Sequence, residues 1–212
     1  MKFSEIFYSI QGESSWVGSP CTFLRLWGCN LRCLWCDTKY SYEGKPIGLT
    51  LAQVLRRVES FPAQLVEITG GEPLLQEEVY PLMGELLQRG YKVLLDTNGS
   101  LDIGRVPEEV IRIIDIKPPK SGMSERTEWG NLEELRPTDE VKFVLVDRDD
   151  YQWAKGITER YSLLRRARVI FSPANGFLSL RELAEWILRD GLKVRLGFQL
   201  QKFIWGKGTR GH

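Results

Sequence analysis

Three cysteines lie close together near the amino terminus of the 212-residue chain, in the segment CNLRCLWC that spans residues 29–36. Cys29, Cys33 and Cys36 follow an apolar run at residues 23–27, so the segment is predicted to be a loop after a buried strand. Three thiolates in one loop can bind three irons of a 4Fe–4S cluster and leave the fourth iron open. The spacing therefore predicts a reaction centre rather than a purely structural metal site.

Zinc binding and reduced core thiols are the alternatives for these cysteines. A structural zinc site takes four ligands. Cys21 is the only other cysteine; it precedes the predicted strand and is interpreted as a small buried apolar residue. The only histidine is His212, the last residue, so imidazole ligands and Ser-His-Asp catalysis are not expected in the folded body.

Composition predicts an ordinary globular protein with a single domain over residues 1–212. Hydrophobic residues make up 42% and charged residues 27% of the chain, and 29 basic residues balance 28 acidic ones. This balance gives no indication of a nucleic-acid partner. No apolar run is long enough for a membrane span and no signal peptide is recognisable, so we expect a cytoplasmic location with reduced cysteines.

Apolar segments alternate with helical patterns along the chain, which predicts parallel strands joined by crossover helices. The predicted strands are residues 21–27, 64–69, 91–96, 111–117, 140–146, 168–171 and 192–196. Thr50 is predicted to cap the first helix and Ser179 to cap the last, which ends at Arg189. Two further helices are predicted over about residues 77–89 and over residues 149–165, and residues 120–138 are predicted to be irregular. An incomplete α/β barrel and an open doubly wound sheet both fit, and in either one ligands bind at the carboxyl ends of the strands.

Short polar or proline-containing motifs follow several predicted strands. Gly70-Gly71-Glu72-Pro73 comes directly after Thr69, and its glycines would let the backbone approach a ligand closely. Similar strand-end motifs occupy residues 96–99, 117–120 and 172–175. Each of them is also compatible with a simple turn.

The cysteine loop and the glycine motif, in this order, resemble the radical S-adenosylmethionine (SAM) superfamily. The resemblance implies an incomplete parallel (β/α) barrel with about six barrel strands and few helices. It also implies that the 4Fe–4S cluster cleaves SAM to a 5′-deoxyadenosyl radical. The residues that it places at the cofactor are Trp35, Cys36, Asp37, Gly71, Glu72, Pro118, Pro119, Lys120, Ser172, Pro173, Ala174 and Asn175.

Further motifs resemble the 7-carboxy-7-deazaguanine synthase family: a Ser-Ile-Gln-Gly-Glu segment at residues 9–13, Arg25 four residues before Cys29, and Cys-Asp-Thr at residues 36–38. The resemblance implies a carbon–nitrogen lyase of queuosine and archaeosine precursor biosynthesis. Such a lyase converts 6-carboxy-5,6,7,8-tetrahydropterin to 7-carboxy-7-deazaguanine and ammonia by radical ring contraction. The implied substrate ligands are Ile10, Gln11, Gly12, Arg25 and Thr69, and Thr38 is the implied magnesium ligand.

Two other functions remain open from the sequence: a glycyl-radical-enzyme activase and a non-catalytic iron–sulfur electron carrier. Arg25 favours a small carboxylated substrate over a protein substrate, because its guanidinium can hold a carboxylate by two hydrogen bonds. The family resemblance further implies a homodimer and a one-electron donor such as flavodoxin or ferredoxin. One departure from the family is Gln201, which stands where the tail often carries a histidine, so the role of the tail is open.

Overall fold

The computed structural model describes residues 1–206 and residue 211, so His212 lies outside the described residues. Within the described residues, nine strands form one sheet in the order β3-β1-β2-β4-β5-β6-β7-β8-β9. The strands are β1 (Lys2–Ile10), β2 (Pro20–Leu26), β3 (Ile47–Gly48), β4 (Leu65–Gly70), β5 (Lys92–Thr97), β6 (Ile111–Asp115), β7 (Glu140–Leu145), β8 (Arg168–Pro173) and β9 (Arg195–Leu196). From β2 to β9 all neighbours are parallel, whereas β1 pairs antiparallel with β2 and β3.

Five α-helices accompany the sheet in the described part of the chain: α1 (Leu51–Glu59), α2 (Val79–Gln88), α3 (Arg148–Arg160), α4 (Leu180–Asp190) and α5 (Leu200–Ile204). The predicted caps of two helices are confirmed. Thr50 accepts a hydrogen bond from the Gln53 amide at the start of α1, and Ser179 accepts one from the Glu182 amide at the start of α4. None of the helices at residues 1–206 is long and apolar enough to cross a membrane.

The α/β class and the parallel sheet with few helices are therefore confirmed. In the described part of the chain, six parallel strands, β2 and β4–β8, are neighbours in the sheet, and the two-residue β9 extends them. This agrees with the expected six barrel strands. The carboxyl ends of these strands meet at one end of the sheet, where residues of different strands can form a common site.

The sheet buries a different core on each face. On the outer face, Leu24, Val66 and Val93 pack with helix residues such as Leu82 and Leu183 in the main core. A second, smaller core consists of Cys21, Phe23, Leu65, Leu94 and Ile113 and contains no helix residue. Because strand side chains alternate between faces, this second core marks the concave face of the sheet. Cys21 is fully buried there, as its interpretation as a core residue predicts.

Several predicted boundaries were wrong. The sequence analysis did not predict β1, β3 or α5, which contribute an antiparallel edge and the carboxyl-terminal segment. Helix α3 ends at Arg160 rather than Arg165, because Ser162 adopts a left-handed backbone conformation (φ 51°). The last strand is confined to Arg195–Leu196, since the Leu192 amide donates to the Ile187 carbonyl (3.1 Å) and thereby closes the end of α4.

An ion pair that is completely buried joins β6 to the turn before β7. Arg112 Nε and Nη2 lie 3.0 and 2.5 Å from Asp139 Oδ2, and neither side chain is exposed. The Asp139 carboxylate also accepts hydrogen bonds from the backbone amides of Arg112 and Arg136. Because both charges are removed from water, each one depends on its partner.

We expect Asp139→Asn to destabilise the protein by about 3 kcal/mol, because the Arg112 charge would stay buried without a counterion. Urea unfolding at neutral pH measures this change. The matched control is Glu77→Gln, which breaks the exposed Arg105–Glu77 pair and should leave the midpoint unchanged. Equal midpoints for the two variants would contradict the stabilising role of the buried pair.

Candidate active site

A cavity of about 210 Å³ lies at the carboxyl ends of the parallel strands. It is lined by residues from the cysteine loop and from the ends of β2 and β4–β8. The residues that sequence analysis predicted and that line it are Arg25, Cys29, Cys33, Trp35, Cys36, Asp37, Thr38, Thr69, Gly71, Ser172, Pro173, Ala174 and Asn175. The structure therefore brings most of the predicted site together around one space.

The three cysteines of the loop are partly buried and line this cavity from one side. Cys29 Sγ accepts hydrogen bonds from the Leu31 amide (3.4 Å) and from Asn98 Nδ2 (3.7 Å). Burial raises the pKa values of Cys29 and Cys33, whereas the nearby Lys117 acts in the opposite direction on both. The N–H donors at Cys29 and the cation near Cys29 and Cys33 favour the thiolate form that a cluster requires of its ligands.

At residues 1–206 and 211, no three His, Cys, Asp or Glu side chains converge closely enough to hold a single metal ion. All three cysteines nevertheless line the same cavity. The ligands of a cubane cluster bind separate iron corners, so they need not converge on one point as the ligands of a mononuclear site do.

Two glycines bring the end of β4 against the cysteine loop. Gly70 has φ +145°, and a Cβ there would lie 2.7 Å from the Leu26 backbone nitrogen. A Cβ on Gly71 would lie 2.7 Å from Cys29 Cβ and would overlap the Gly28 carbonyl oxygen. The Gly71 amide itself donates to the Leu26 carbonyl, and the next amide, of Glu72, donates to Gly28. The glycines are thus required by close packing between two strand ends.

Glu72 does not line the cavity but lies fully buried beneath it. Its carboxylate accepts hydrogen bonds from the Leu74 and Asn98 amides and from Thr97 Oγ1 at 2.7–3.0 Å. Burial raises the pKa of Glu72 to about 7, although these hydrogen bonds oppose the rise. In this structure Glu72 anchors the end of β5, and through Asn98 it also positions Cys29.

A second cavity of about 90 Å³ adjoins the first on the concave face of the sheet. The predicted substrate residues Ile10, Gln11 and Gly12 line it, together with the aromatic side chains of Phe7 and Phe23. Gln11 is buried, and its Nε2 donates to the Glu67 carboxylate. The residues that line both cavities are Glu13, Arg25, Thr69, Asp96 and Lys142.

The shared wall is built around the Lys142 ammonium group. Lys142 Nζ lies 3.2 Å from Asp96 Oδ2, 3.4 Å from Glu13 Oε2 and 3.5 Å from Asp115 Oδ2. Burial alone would lower its pKa, but these carboxylates raise it well above the ordinary lysine value. Asp115 is bridged further to Lys117 (3.0 Å). Lys142 therefore remains charged and connects three chain segments at the barrel centre.

The carboxyl-terminal segment crosses the entrance of the second cavity. The Leu200 amide donates to the Gly12 carbonyl (2.9 Å), and Gln199 and Gln201 donate to Glu13 Oε1 at 2.9 and 3.2 Å. Lys202 Nζ lies 2.7 Å from Asp37 Oδ2, next to the last cysteine of the loop. The tail thus ties the segment after β1 to the cysteine loop, and Gln201 takes part as a hydrogen-bond donor.

Besides Glu72, three predicted cofactor residues lie away from the cavity wall. Pro118 is buried, and Lys120 is half exposed and pairs with Asp147 and Asp149 (3.3 and 3.5 Å). In the segment of residues 117–120, the structure places Lys117 in the wall and leaves Pro118, Pro119 and Lys120 outside it. The role predicted for these three residues stays a prediction.

Sequence analysis missed the charged residues of the strands themselves: Glu67, Asp96, Asp115 and Lys142. A signal was present, because each one interrupts or ends an apolar strand that is otherwise buried on both faces. A charge inside such a strand needs a partner or a function. Glu13 was also missed as a site residue, although it belongs to the motif that includes Gln11 and Gly12.

We expect Gly71→Ala to displace the cysteine loop and to destabilise the protein by about 1–3 kcal/mol, because the added methyl group meets backbone atoms. Urea unfolding and the iron content after anaerobic reconstitution measure the two effects. Gly84→Ala in α2 is the control: its Cβ meets no atom within 4 Å, and the change should stabilise the helix slightly. A normal iron content in Gly71→Ala would contradict the packing role.

Glu67 should make stability depend on pH. Burial raises its pKa to about 8, with Asp96 adding to the rise and Lys142 opposing it. An unfolded chain loses this proton near pH 4.3. From about pH 5 to about pH 8 the folded state therefore holds a proton that the unfolded state has released, so this group lowers stability as pH rises.

The variant Glu67→Gln removes this titration. We expect its stability, relative to the unmodified protein, to increase steadily between pH 5 and pH 8 in urea unfolding experiments. Glu59→Gln, a substitution of an exposed glutamate in α1, is the control for general effects of buffer and charge. A difference between Glu67→Gln and the unmodified protein that stays constant across this range would refute the titration.

Comparisons with known proteins agree with this architecture. Residues 27–118 match the Radical SAM superfamily. A 7-carboxy-7-deazaguanine synthase of Koribacter versatilis strain Ellin345 is 44% identical, with both chains covered completely. The corresponding enzyme of Chlorobaculum tepidum is 45% identical and is covered over 97% of its length, with this chain covered completely.

The crystal structure of QueE from Escherichia coli is similar to this fold, with a TM-score of 0.77 and 21% sequence identity. The alignment covers 94% of this chain and 93% of the QueE chain. This likeness confirms the predicted incomplete barrel. The full-length similarity also decides among the alternatives from sequence analysis, because it supports neither the activase nor the electron carrier. The chain belongs to the 7-carboxy-7-deazaguanine synthase family of the radical SAM superfamily.

Proposed function

We propose that the protein converts 6-carboxy-5,6,7,8-tetrahydropterin to 7-carboxy-7-deazaguanine and ammonia by radical ring contraction. The observation that carries the proposal is the shared wall of the two cavities. One cavity presents the three cysteines, the other presents Gln11 and a stacked pair of aromatic rings, and Arg25 and Thr69 belong to both. A radical generated in the first cavity would therefore arise next to a molecule bound in the second.

Membership of the superfamily implies a 4Fe–4S cluster and SAM. We assign cluster binding to Cys29, Cys33 and Cys36, which all line the first cavity. When bound, the cluster and SAM supply the organic radical that abstracts hydrogen from the substrate. The chain itself positions these groups. Gly71 permits the end of β4 to lie close to the cysteine loop, and Trp35, Asp37 and residues 172–175 line the same cavity as the cysteines.

The second cavity has the chemistry to hold a carboxylated pterin. Phe7 and Phe23 stack at 4.9 Å between centroids and form an apolar wall for a flat ring. Gln11 offers an amide and Glu13 a carboxylate to the polar ring edge, and both lie in the wall. The guanidinium of Arg25 matches the geometry of a carboxylate. The tail residues Gln199 and Gln201 hold Glu13 in place and cover this edge.

Magnesium is the third proposed component. Thr38 lines the first cavity, and its Oγ1 contacts Asp37 Oδ1 at 2.9 Å. A single hydroxyl ligand suits Mg²⁺, which keeps several water or substrate oxygens in its coordination shell. Thr38 would hold the ion, and the ion would supply positive charge for the substrate carboxylate. We also propose that the protein acts as a homodimer and receives its electron from a flavodoxin or a ferredoxin.

The test is an anaerobic turnover assay with reconstituted protein, dithionite, SAM, magnesium and 6-carboxy-5,6,7,8-tetrahydropterin, followed by mass spectrometry. We expect 7-carboxy-7-deazaguanine to form without net consumption of SAM, and activity to fall when magnesium is chelated. Formation of 5′-deoxyadenosine with an unchanged pterin would refute the substrate assignment.

Matched cysteine variants test the cluster assignment in the same assay. Cys29→Ala should lose the bound iron and all activity, because one cluster ligand is removed. Cys21→Ala is the control, since Cys21 is buried in the concave core and does not line either cavity. Cluster loss in both variants would indicate a general folding defect and would contradict the specific role of the loop.

A further inference from the structure

A row of polar residues crosses three neighbouring strands beside the second cavity. Glu5 of β1 pairs with Arg25 of β2, and Arg25 pairs with Thr69 of β4. Residues that pair directly across strands point to the same face of a sheet. Glu5, Arg25 and Thr69 therefore stand side by side on the concave face, with Arg25 in the middle and Thr69 in the wall of both cavities.

One carboxylate oxygen holds two donors in this row. Glu5 Oε1 accepts a hydrogen bond from Arg25 Nε (2.7 Å) and another from the Tyr40 hydroxyl (2.7 Å). The Arg25 guanidinium also lies near the rings of Phe7 and Tyr40, with its central carbon 5.9 and 5.8 Å from the two ring centroids. The side chains of Glu5 and Arg25 are largely buried, so water competes little with these contacts.

This arrangement uses the inner nitrogen of Arg25 and leaves its outer edge for a ligand. Across residues 1–206 and 211, the two Nη nitrogens make no hydrogen bond, and Arg25 lines both cavities. A guanidinium held at Nε can still present two parallel N–H donors from its Nη edge. The fixed orientation lowers the entropy lost when a carboxylate binds.

Tyr40 connects the row to the cysteine loop. It lies in the short 3₁₀ turn Lys39–Ser41, which follows Cys36 by a few residues. The Gly28 amide donates to the Ser41 carbonyl (2.7 Å), so this turn closes the base of the loop. The hydroxyl that orients Glu5 is therefore positioned by the same loop that carries the cysteines.

We propose that Glu5 and Tyr40 are positioning residues that orient the Arg25 guanidinium toward the carboxylate of the substrate. This inference rests on the proposed function and assigns roles to two residues that do not line either cavity. The negative charge of Glu5 by itself opposes the binding of an anion near Arg25. Its benefit must therefore come from its acceptor oxygen, and an uncharged acceptor of the same shape should serve as well.

Two substitutions separate the acceptor from the charge. Glu5→Gln keeps an oxygen acceptor without the charge, whereas Glu5→Leu has a similar size and no acceptor. Cluster-loaded protein with SAM is titrated anaerobically with 6-carboxypterin and with 6-methylpterin, and binding is followed by pterin fluorescence. We expect Glu5→Leu to weaken the binding of 6-carboxypterin about tenfold and Glu5→Gln to weaken it less than about threefold. The binding of 6-methylpterin should be unchanged in both variants.

Further variants and turnover complete the test. Tyr40→Phe should weaken the binding of 6-carboxypterin by a few fold. In turnover it should raise KM for the carboxylated substrate more than it lowers kcat. The control Glu77→Gln breaks the exposed Arg105–Glu77 ion pair and should not change the binding of either pterin. Cluster content and urea midpoints of all variants show whether each protein is folded.

Three outcomes would overturn the inference. In Glu5→Leu, unchanged binding of 6-carboxypterin would remove the positioning role, and equal weakening of both pterins would show a structural role only. Equal weakening by Glu5→Gln and Glu5→Leu would assign the effect to charge. The proposed function would fail separately, if the unmodified protein formed no deazaguanine product. If both the unmodified protein and Glu5→Leu turn over and select the carboxylated pterin, the proposed function stands and only the positioning role fails.

Discussion

The buried ammonium group of Lys142 is the interaction on which the centre of the molecule depends. Three carboxylates, from the segment after β1 and from the ends of β5 and β6, lie within 3.5 Å of it. Burial of the Lys142 ammonium group opposes its charge, and the three carboxylates offset this cost. The cluster of charges therefore fixes the relative positions of Glu13, Asp96 and Asp115, and with them the wall between the two cavities.

Close backbone packing supplies the second constraint. The side of the cavity that carries the cysteines is held by the contact of Gly70 and Gly71 with residues 26–29, where no side chain would fit. Asn98 adds a polar link: its amide bonds the Glu72 carboxylate, and its side chain donates to Asn30 and Cys29. Thus the segment after β5 is a turn that also contacts the cysteine loop. Gly99 provides the positive φ of the turn, and Asn98 contacts the loop.

The carboxyl-terminal segment and the segment after β1 are far apart in sequence and adjacent in the fold. Gln199 contacts both Glu13 and Asp37, and Lys202 pairs with Asp37. The start of the short helix α5 therefore contacts both the segment after β1 and the cysteine loop. Gln201 donates to Glu13 as a neutral group, and its amide does not titrate. Its contact with Glu13 therefore needs no titratable side chain.

The sequence by itself determined the cysteine loop, the glycine motif and the alternation of strands and helices, because spacing and periodicity act locally. It also determined the family, since the motifs at residues 9–13, 25 and 36–38 are specific. Tertiary structure decided which strand-end residues face the cavity: Lys117 does, whereas Pro118, Pro119 and Lys120 do not, and Glu72 is buried below it. It also decided the partners of Glu5, Glu67 and Lys142. These depend on the register between strands, and local sequence does not encode which charges a register brings together.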